Sequence, residues 1–132
     1  MMCGFRNKPR VYISGKISGL PKEEYTSKFN EAERRLRHLG FDVANPANDH
    51  VAEFLAKISY RLVMLYDLLA VKGCACIYLL DNCTDSRGAA EEIECAILND
   101  LAIVTEEMDD KSILETLKWH SFRILVNQSM RR

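Results

Sequence analysis

The residues of this chain best suited to chemistry are two adjacent carboxylates, Glu91 and Glu92, in the segment TDSRGAAEEIECA at residues 84–96. An apolar run at residues 76–80 precedes it, and its own apolar residues recur at helical spacing, so we predict a strand, a loop and a helix. A helical projection places Glu92 at the margin of the buried face and Glu91 on the far side. The helix dipole stabilises a carboxylate near the N-terminus, so we expect Glu92 to be ionised and suited to act as a nucleophile. The simpler interpretation is that the acidic pair only stabilises the helix start.

The loop before Glu92 is suited to binding an anion. Asp85 or Ser86 can cap the predicted helix, because a short side-chain oxygen accepts from the free N–H groups of the first turn. Gly88 would let a ligand approach that backbone closely, and helix starts of this kind attract phosphate groups. Lys16 and Arg87 lie in loops at the predicted mouth, where they either attract a phosphate or are simply solvated.

A second carboxylate, Asp67, lies on a predicted helix among the apolar residues Leu62, Val63, Leu65 and Leu68. Apolar surroundings desolvate a carboxyl group, which would raise its pKa towards the working pH. Two carboxyl groups with different surroundings can divide the roles of nucleophile and proton donor. The alternative for Asp67 is a solvent-facing residue near a helix end.

Strands and helices must alternate along the chain to position these side chains. We predict strands at residues 10–14, 41–45, 74–80 and 101–105. We predict helices at residues 23–39, from about residue 51 to 71, at 87–99 and at 112–126, with an edge strand as the alternative for residues 122–126.

This alternation predicts a single α/β domain over residues 1–132, Rossmann-like (flavodoxin-like), with a parallel sheet of four to five strands and helices on both faces. In such a sheet ligands bind at the carboxyl ends of the strands, where the strand order reverses. The loop at residues 15–19, Asn45 and the segment at residues 86–92 would meet there. Asn45 precedes Pro46, so a turn residue is an equally good interpretation of it.

Composition favours a small-molecule partner. The 132 residues carry a formal net charge of −1, with 48% hydrophobic residues and interspersed charges, so neither a nucleic-acid surface nor a membrane patch is indicated. We find no signal-peptide pattern at the N-terminus and expect a soluble, cytoplasmic protein. The odd number of cysteines, five, and their spacing favour reduced thiols over disulfides or a metal site, and Cys74 and Cys76 would share one face of a strand.

Four features in order then indicate a family. They are VYISGKISG near the start, an Asn-Pro after the second strand, an Asp upstream of a Gly-x-x-x-Glu, and SRGAAEEIECA itself. Together they resemble the nucleoside 2-deoxyribosyltransferase superfamily over residues 10–105. Within it, the sequence is similar to short domains of unknown function and to the 2'-deoxynucleoside 5'-phosphate N-hydrolases.

The resemblance implies a role for each matching residue. Glu92 stands at the position of the nucleophile, and Asp67 at that of the residue that handles the proton on the departing base. Ser86 matches the serine with which the hydrolases bind the 5'-phosphate. The remaining substrate-binding positions are Tyr12, Gly15, Ile17, Ser18, Gly19, Asn45 and Gly88. No metal or other cofactor is implied.

Two departures from the family pattern stand out. The transferases complete a neighbouring subunit's site with a C-terminal Asn that is not recognisable in this sequence, and Glu94 replaces a usually small residue.

The predicted function is cleavage or transfer at the N-glycosidic bond of a nucleoside or its 5'-monophosphate, through a glycosyl-enzyme on Glu92. The alternatives are a non-catalytic nucleotide sensor, and cleavage of the nicotinamide glycosidic bond of a dinucleotide. We also expect a homo-oligomer, because the second and fourth helices carry more apolar residues than one sheet face can cover. The candidate contacts are Phe54, Tyr60, Met64 and Trp119.

Overall fold

A computed structural model describes residues 8–131 as alternating strands and helices. The strands are β1 (Arg10–Ser14), β2 (Asp42–Ala44), β3 (Cys76–Leu79) and β4 (Ala102–Thr105). The α-helices are α1 (Lys22–His38), α2 (His50–Ile58), α3 (Tyr60–Lys72), α4 (Arg87–Leu98) and α5 (Asp110–Met130), with short 3-10 turns at Pro46–Asn48 and Cys83–Asp85.

The four strands form one parallel sheet in the order β2-β1-β3-β4. The chain runs from β1 outward to β2, and then crosses back over β1 to β3 on its other side. The carboxyl ends of β1 and β3 therefore flank the point at which the strand order reverses, where a parallel sheet opens a crevice. The predicted α/β fold with a parallel, Rossmann-like sheet is confirmed.

Side-chain alternation along β1 divides the core into two layers. Val11 and Ile13 pack with apolar residues of α1 and α5, whereas Tyr12 packs in a second layer with residues of α3 and α4. Helices therefore cover both faces of the sheet, as predicted. Because Ser14 follows Tyr12 by two residues, it lies on the α3–α4 side, where its side chain is fully buried.

The prediction of one long helix up to residue 71 is wrong, because Ser59 divides it into α2 and α3. Ser59 has extended backbone angles of φ −162° and ψ 133°. Its N–H still donates to the Leu55 carbonyl at 2.9 Å, and its carbonyl accepts from the Val63 N–H at 3.2 Å. One residue thus ends one helix and begins the next, and hydrophobic periodicity on either side does not register so short a break. The edge-strand alternative for residues 122–126 is also wrong, because they continue α5.

The cysteines of the described residues, Cys74, Cys76, Cys83 and Cys95, are all free and buried. Cys74 precedes β3 and packs in the α3–α4 layer, whereas Cys76 packs in the α1–α5 layer. The prediction that these two share a face is therefore wrong, since the strand begins only at Cys76. Cys3 lies outside the described residues. Within residues 8–131, no helix has the length and apolar character needed to cross a membrane.

Candidate functional site

A cavity of about 700 Å³ opens at the carboxyl ends of the strands. The loop after β1 forms one wall, the facing sides of α2 and α3 form another, and the start of α4 forms a third. The lining residues are Gly15, Lys16, Ile17, Ser18, Tyr25, Pro46, Ala47, Ala52, Glu53, Ala56, Lys57, Tyr60, Val63, Met64, Asp67, Asp85, Ser86, Arg87, Gly88, Ala89 and Glu92. Both predicted carboxyl groups thus share one cavity with most of the predicted binding residues.

Glu92 is the most completely enclosed acidic side chain of this site, with a relative exposure of 6%. Tyr12 donates its phenolic hydrogen bond to Glu92 Oε2 at 2.5 Å, and Ser14 donates to Oε1 at 2.8 Å. Each carboxyl oxygen therefore has its own hydroxyl donor, and both donors project from the same face of β1. Glu91, the preceding residue, does not line the cavity, and its carboxylate lies 3.9 Å from the Arg87 guanidinium as an i,i+4 pair.

Burial raises the pKa of Glu92 to about 8. The hydrogen bonds from Tyr12 and Ser14 favour the ionised form and oppose this shift, while the negative charges of Asp67 and Glu91 add to it. Our expectation that Glu92 stays ionised is therefore wrong at neutral pH, where the protonated form predominates. Desolvation of a carboxyl group enclosed by packing outweighs the helix dipole.

Asp67 lies on α3 and lines the same cavity as Glu92, and burial raises the pKa of Asp67 to about 7. The negative charge of Asp49 contributes to the same shift. Asp49 caps α2 through its Oδ1 and accepts from the Tyr66 hydroxyl at 2.7 Å through Oδ2. The predicted desolvation of Asp67 is confirmed, and a carboxyl group with this pKa can give up a proton near neutral pH.

Of the two residues predicted as possible caps of α4, Asp85 and Ser86, it is Ser86 that caps the helix. Its Oγ accepts from the Ala89 N–H at 3.1 Å, whereas Asp85 ends the preceding 3-10 turn. The hydroxyl proton of Ser86 is not used in that bond and can donate to a ligand.

Gly88 has a packing role that the sequence did not indicate. A Cβ placed there would lie 3.3 Å from the Met64 sulfur and 3.7 Å from the Tyr60 hydroxyl. The missing side chain lets α3 approach the start of α4, in addition to any access it gives a ligand.

The loop after β1 is fixed by contacts with the end of β3. A Cβ on Gly15 would lie 2.6 Å from Leu80 Cδ1, and the Lys16 N–H donates to Asn82 Oδ1 at 3.1 Å. Ile17 and Ser18 then line the cavity. Gly19 does not line it, and its φ of +83° indicates a turn role that suits glycine.

Asn45 is not brought into the cavity. Its Oδ1 caps the 3-10 turn by accepting from the Ala47 N–H at 2.9 Å, and its Nδ2 donates to Asn30 and Glu33 of α1. The turn interpretation of this residue is the one the structure supports. Its neighbour Pro46 lines the cavity instead.

Sequence reasoning missed Ser14, Lys57, Tyr60 and Asn82. For Ser14 a signal was present, because a residue two positions after Tyr12 on a strand must face the same way. Lys57 and Tyr60 lie on either side of the unpredicted break at Ser59, which turns α2 and α3 towards the cavity.

Among the described residues, no group of three or more His, Cys, Asp or Glu side chains could hold a metal ion. The carboxyl groups that line the cavity are those of Glu53, Asp67, Asp85 and Glu92, and the basic side chains that line it are Lys16, Lys57 and Arg87.

The fold and the cavity together define an α/β protein with a Rossmann-like sheet and, in the cavity at its switch point, a buried carboxyl group, Glu92, and a partly buried one, Asp67. Residues 9–105 match the family model described as Domain of unknown function (DUF4406). This range covers most of the 132 residues, and the chain belongs to that family. No curated protein matches the chain.

Proposed function

We propose that the chain binds a nucleoside or its 5'-monophosphate in this cavity and cleaves or transfers the N-glycosidic bond through Glu92. The observation that carries the proposal is the buried Glu92 carboxyl group, which is held by Tyr12 and Ser14 and shares its cavity with a second, desolvated carboxyl group, Asp67. A volume of about 700 Å³ also lies in the range of small-molecule sites, about 300–1,000 Å³.

The chemistry follows from the two carboxyl groups. Breaking an N-glycosidic bond develops positive charge at C1' of the sugar, which an anionic oxygen beneath the ring stabilises. A Glu92 oxygen forms a bond to C1' while the bond to the base breaks, and Asp67 gives its proton to the leaving nitrogen. Water or a second base then attacks C1' and releases Glu92, and Asp67 recovers a proton.

The raised pKa of Glu92 has two opposing consequences for this reaction. At neutral pH only part of the protein carries an ionised Glu92, which lowers the reactive fraction. The ionised form of a more basic carboxylate is, however, the better nucleophile, and positive charge developing on the sugar favours that form.

The mouth of the cavity supports a preference for a phosphorylated substrate. The Ser86 hydroxyl, the Ser18 hydroxyl and the N–H groups at the start of α4 are hydrogen-bond donors, and Lys16 and Arg87 add positive charge. Each charge-assisted hydrogen bond to a phosphate contributes about 1.5–3 kcal/mol. A monophosphate should therefore bind at least about tenfold more tightly than its nucleoside for each such contact.

The decisive experiment compares Glu92→Gln with Glu91→Gln on a panel of nucleosides and their 5'-monophosphates, with free base measured by chromatography. Glu92→Gln should abolish base release, whereas Glu91→Gln should behave like the wild type because Glu91 lies outside the cavity. Equal loss in both variants contradicts the assignment of Glu92. Tight binding by calorimetry without any base release from the wild type contradicts turnover and supports the nucleotide sensor instead.

A further inference from the structure

Ser14 is a fully buried hydroxyl at the end of the central strand, and its only side-chain hydrogen bond within residues 8–131 is to Glu92 Oε1 at 2.8 Å. Burying a hydroxyl without a good partner is unfavourable, and an alanine would fill the same layer without that cost. The presence of a serine here is therefore explained by its contact with Glu92 and not by packing.

The backbone at Ser14 is held by pairing with β3, and two residues earlier the same strand is also held by β2. Ser14 pairs with Leu79 of β3, its carbonyl accepts from the Leu80 N–H at 2.9 Å, and the same strand pairs with β2 through Tyr12. A hydroxyl on a central strand is located more accurately than one on a loop. Glu92, by contrast, reaches the cavity with three rotatable side-chain bonds from α4.

The two hydroxyl donors bind different oxygens of the Glu92 carboxyl group. Tyr12 holds Oε2 and Ser14 holds Oε1, so loss of Ser14 leaves Oε1 without a partner among the described residues. The carboxyl plane is then free to turn about the single remaining contact. A nucleophilic oxygen displaced by a fraction of an ångström reacts much more slowly.

We propose that Ser14 is a positioning residue for the proposed reaction: its hydroxyl, acting with that of Tyr12, fixes the orientation of the Glu92 carboxyl group beneath the substrate. The inference deepens the proposed function and rests on it. Ser14 itself does not touch the reacting atoms, and acts through Glu92.

The test uses the full chain with ¹³C-labelled glutamate and follows the Glu92 carboxyl signal by NMR against pH. Tyr12 on β1, Tyr60 and Asp67 on α3, and Glu91 on α4 are titratable groups that interact electrostatically with Glu92, and all four stay unchanged. In Ser14→Ala the midpoint should move upward by about one pH unit, because the ionised form loses a donor. In base release, kcat should fall by about tenfold or more while KM changes little.

Two further variants keep the result interpretable. Ser14→Cys nearly preserves the side-chain volume but offers only a weak hydrogen-bond donor. The Glu92 midpoint in Ser14→Cys should therefore lie between the midpoints in the wild type and in Ser14→Ala. If Ser14→Ala does not fold, Ser14→Cys takes its place in the test. Thr26→Val is the matched control, because Thr26 Oγ1 is buried without a hydrogen-bond partner among the described residues and does not touch Glu92.

An unchanged Glu92 midpoint in folded Ser14→Ala or Ser14→Cys overturns the inference. An equal shift of the Glu92 midpoint in Thr26→Val also overturns the inference, because the loss of any buried hydroxyl would then change the pKa of Glu92. Absence of base release in the wild type overturns the proposed function, and with it the role of Ser14 in catalysis. The NMR titration is independent of base release, and it decides whether the Ser14 hydroxyl lowers the pKa of Glu92.

Discussion

At the scale of single residues, the protonation of Glu92 couples the site to the stability of the fold. Its pKa rises from 4.5 to about 8 on folding, so between these pH values the folded protein binds more protons than the unfolded chain. Stability must therefore fall as the pH increases through this window. Asp67 acts in the same direction, since its pKa rises from 3.8 to about 7.

We predict that Glu92→Gln removes a large part of this pH dependence. Each pKa unit corresponds to about 1.4 kcal/mol, so the free energy of unfolding of the wild type should fall relative to the variant by on the order of 3 kcal/mol between pH 5 and pH 8. Glutamine keeps the shape of the protonated acid and cannot ionise. Urea unfolding of both proteins across this range measures the difference, and parallel pH profiles would contradict the assigned pKa.

We predict that Gly15→Ala destabilises the fold by about 1–3 kcal/mol, because overpacking a buried site costs about that much. The new methyl group would meet Leu80 Cδ1 at 2.6 Å and Cβ at 3.0 Å in a fully packed layer. Gly73→Ala is the control, since its nearest neighbour would be the Ala70 carbonyl at 3.5 Å. Thermal or urea unfolding should separate the two variants, and similar stability in both would show that Leu80 moves aside without cost.

At the scale of the elements, one residue at the start of α4, Ser86, both caps the helix and is proposed to bind phosphate. Ser86→Ala removes the cap of α4 and should cost about 1 kcal/mol of stability. It should also weaken binding of a nucleoside 5'-monophosphate while leaving the nucleoside unaffected. Calorimetry with the matched pair of ligands measures this.

Asp109→Ala provides the control for that experiment, because Asp109 caps α5 by accepting from the Ser112 N–H at 2.8 Å and does not line the cavity. It should lower stability to a similar extent without changing either affinity. If the wild type binds nucleoside and monophosphate equally tightly, the phosphate preference is wrong whatever the variants do.

At the scale of the whole molecule, α2 and α3 together present an exposed apolar surface beside the cavity. Its members are Phe54, Ile58, Leu62, Leu65 and Leu69, with exposures from 44% to 62%. Of the contacts proposed from the sequence, Phe54, Tyr60 and Trp119 are exposed, but Met64 is buried at 8% and cannot serve.

We predict a homodimer through this α2–α3 surface. These exposed apolar side chains lie on two helices that pack against each other, and solvent exposure of such a surface is unfavourable. Leu65→Glu should therefore produce a monomer by light scattering at micromolar concentration, whereas Trp119→Glu on α5 should not. A monomeric wild type contradicts the prediction, and dissociation only by Trp119→Glu would move the interface to α5.

The sequence by itself determined the strands and their alternation with helices, but not the break at Ser59 that divides α2 from α3. Alternating apolar runs and helical periodicity predicted all four strands and the parallel α/β sheet, because these patterns record which side of each element is buried. The same local reasoning placed Glu92 at the margin of a buried face, with Glu91 pointing away. It also named Ser86 as a candidate cap.

Only the tertiary structure decided how these elements meet. The pairing of Ser14 and Tyr12 with Glu92 joins residues about eighty positions apart, and no local pattern encodes it. The high pKa of Glu92 has the same origin, since desolvation depends on everything that packs around a group and not on its place in one helix. The Asn45 side chain points towards α1 and not into the cavity, because its amide donates hydrogen bonds to Asn30 and Glu33. The sequence of the turn alone does not predict these partners.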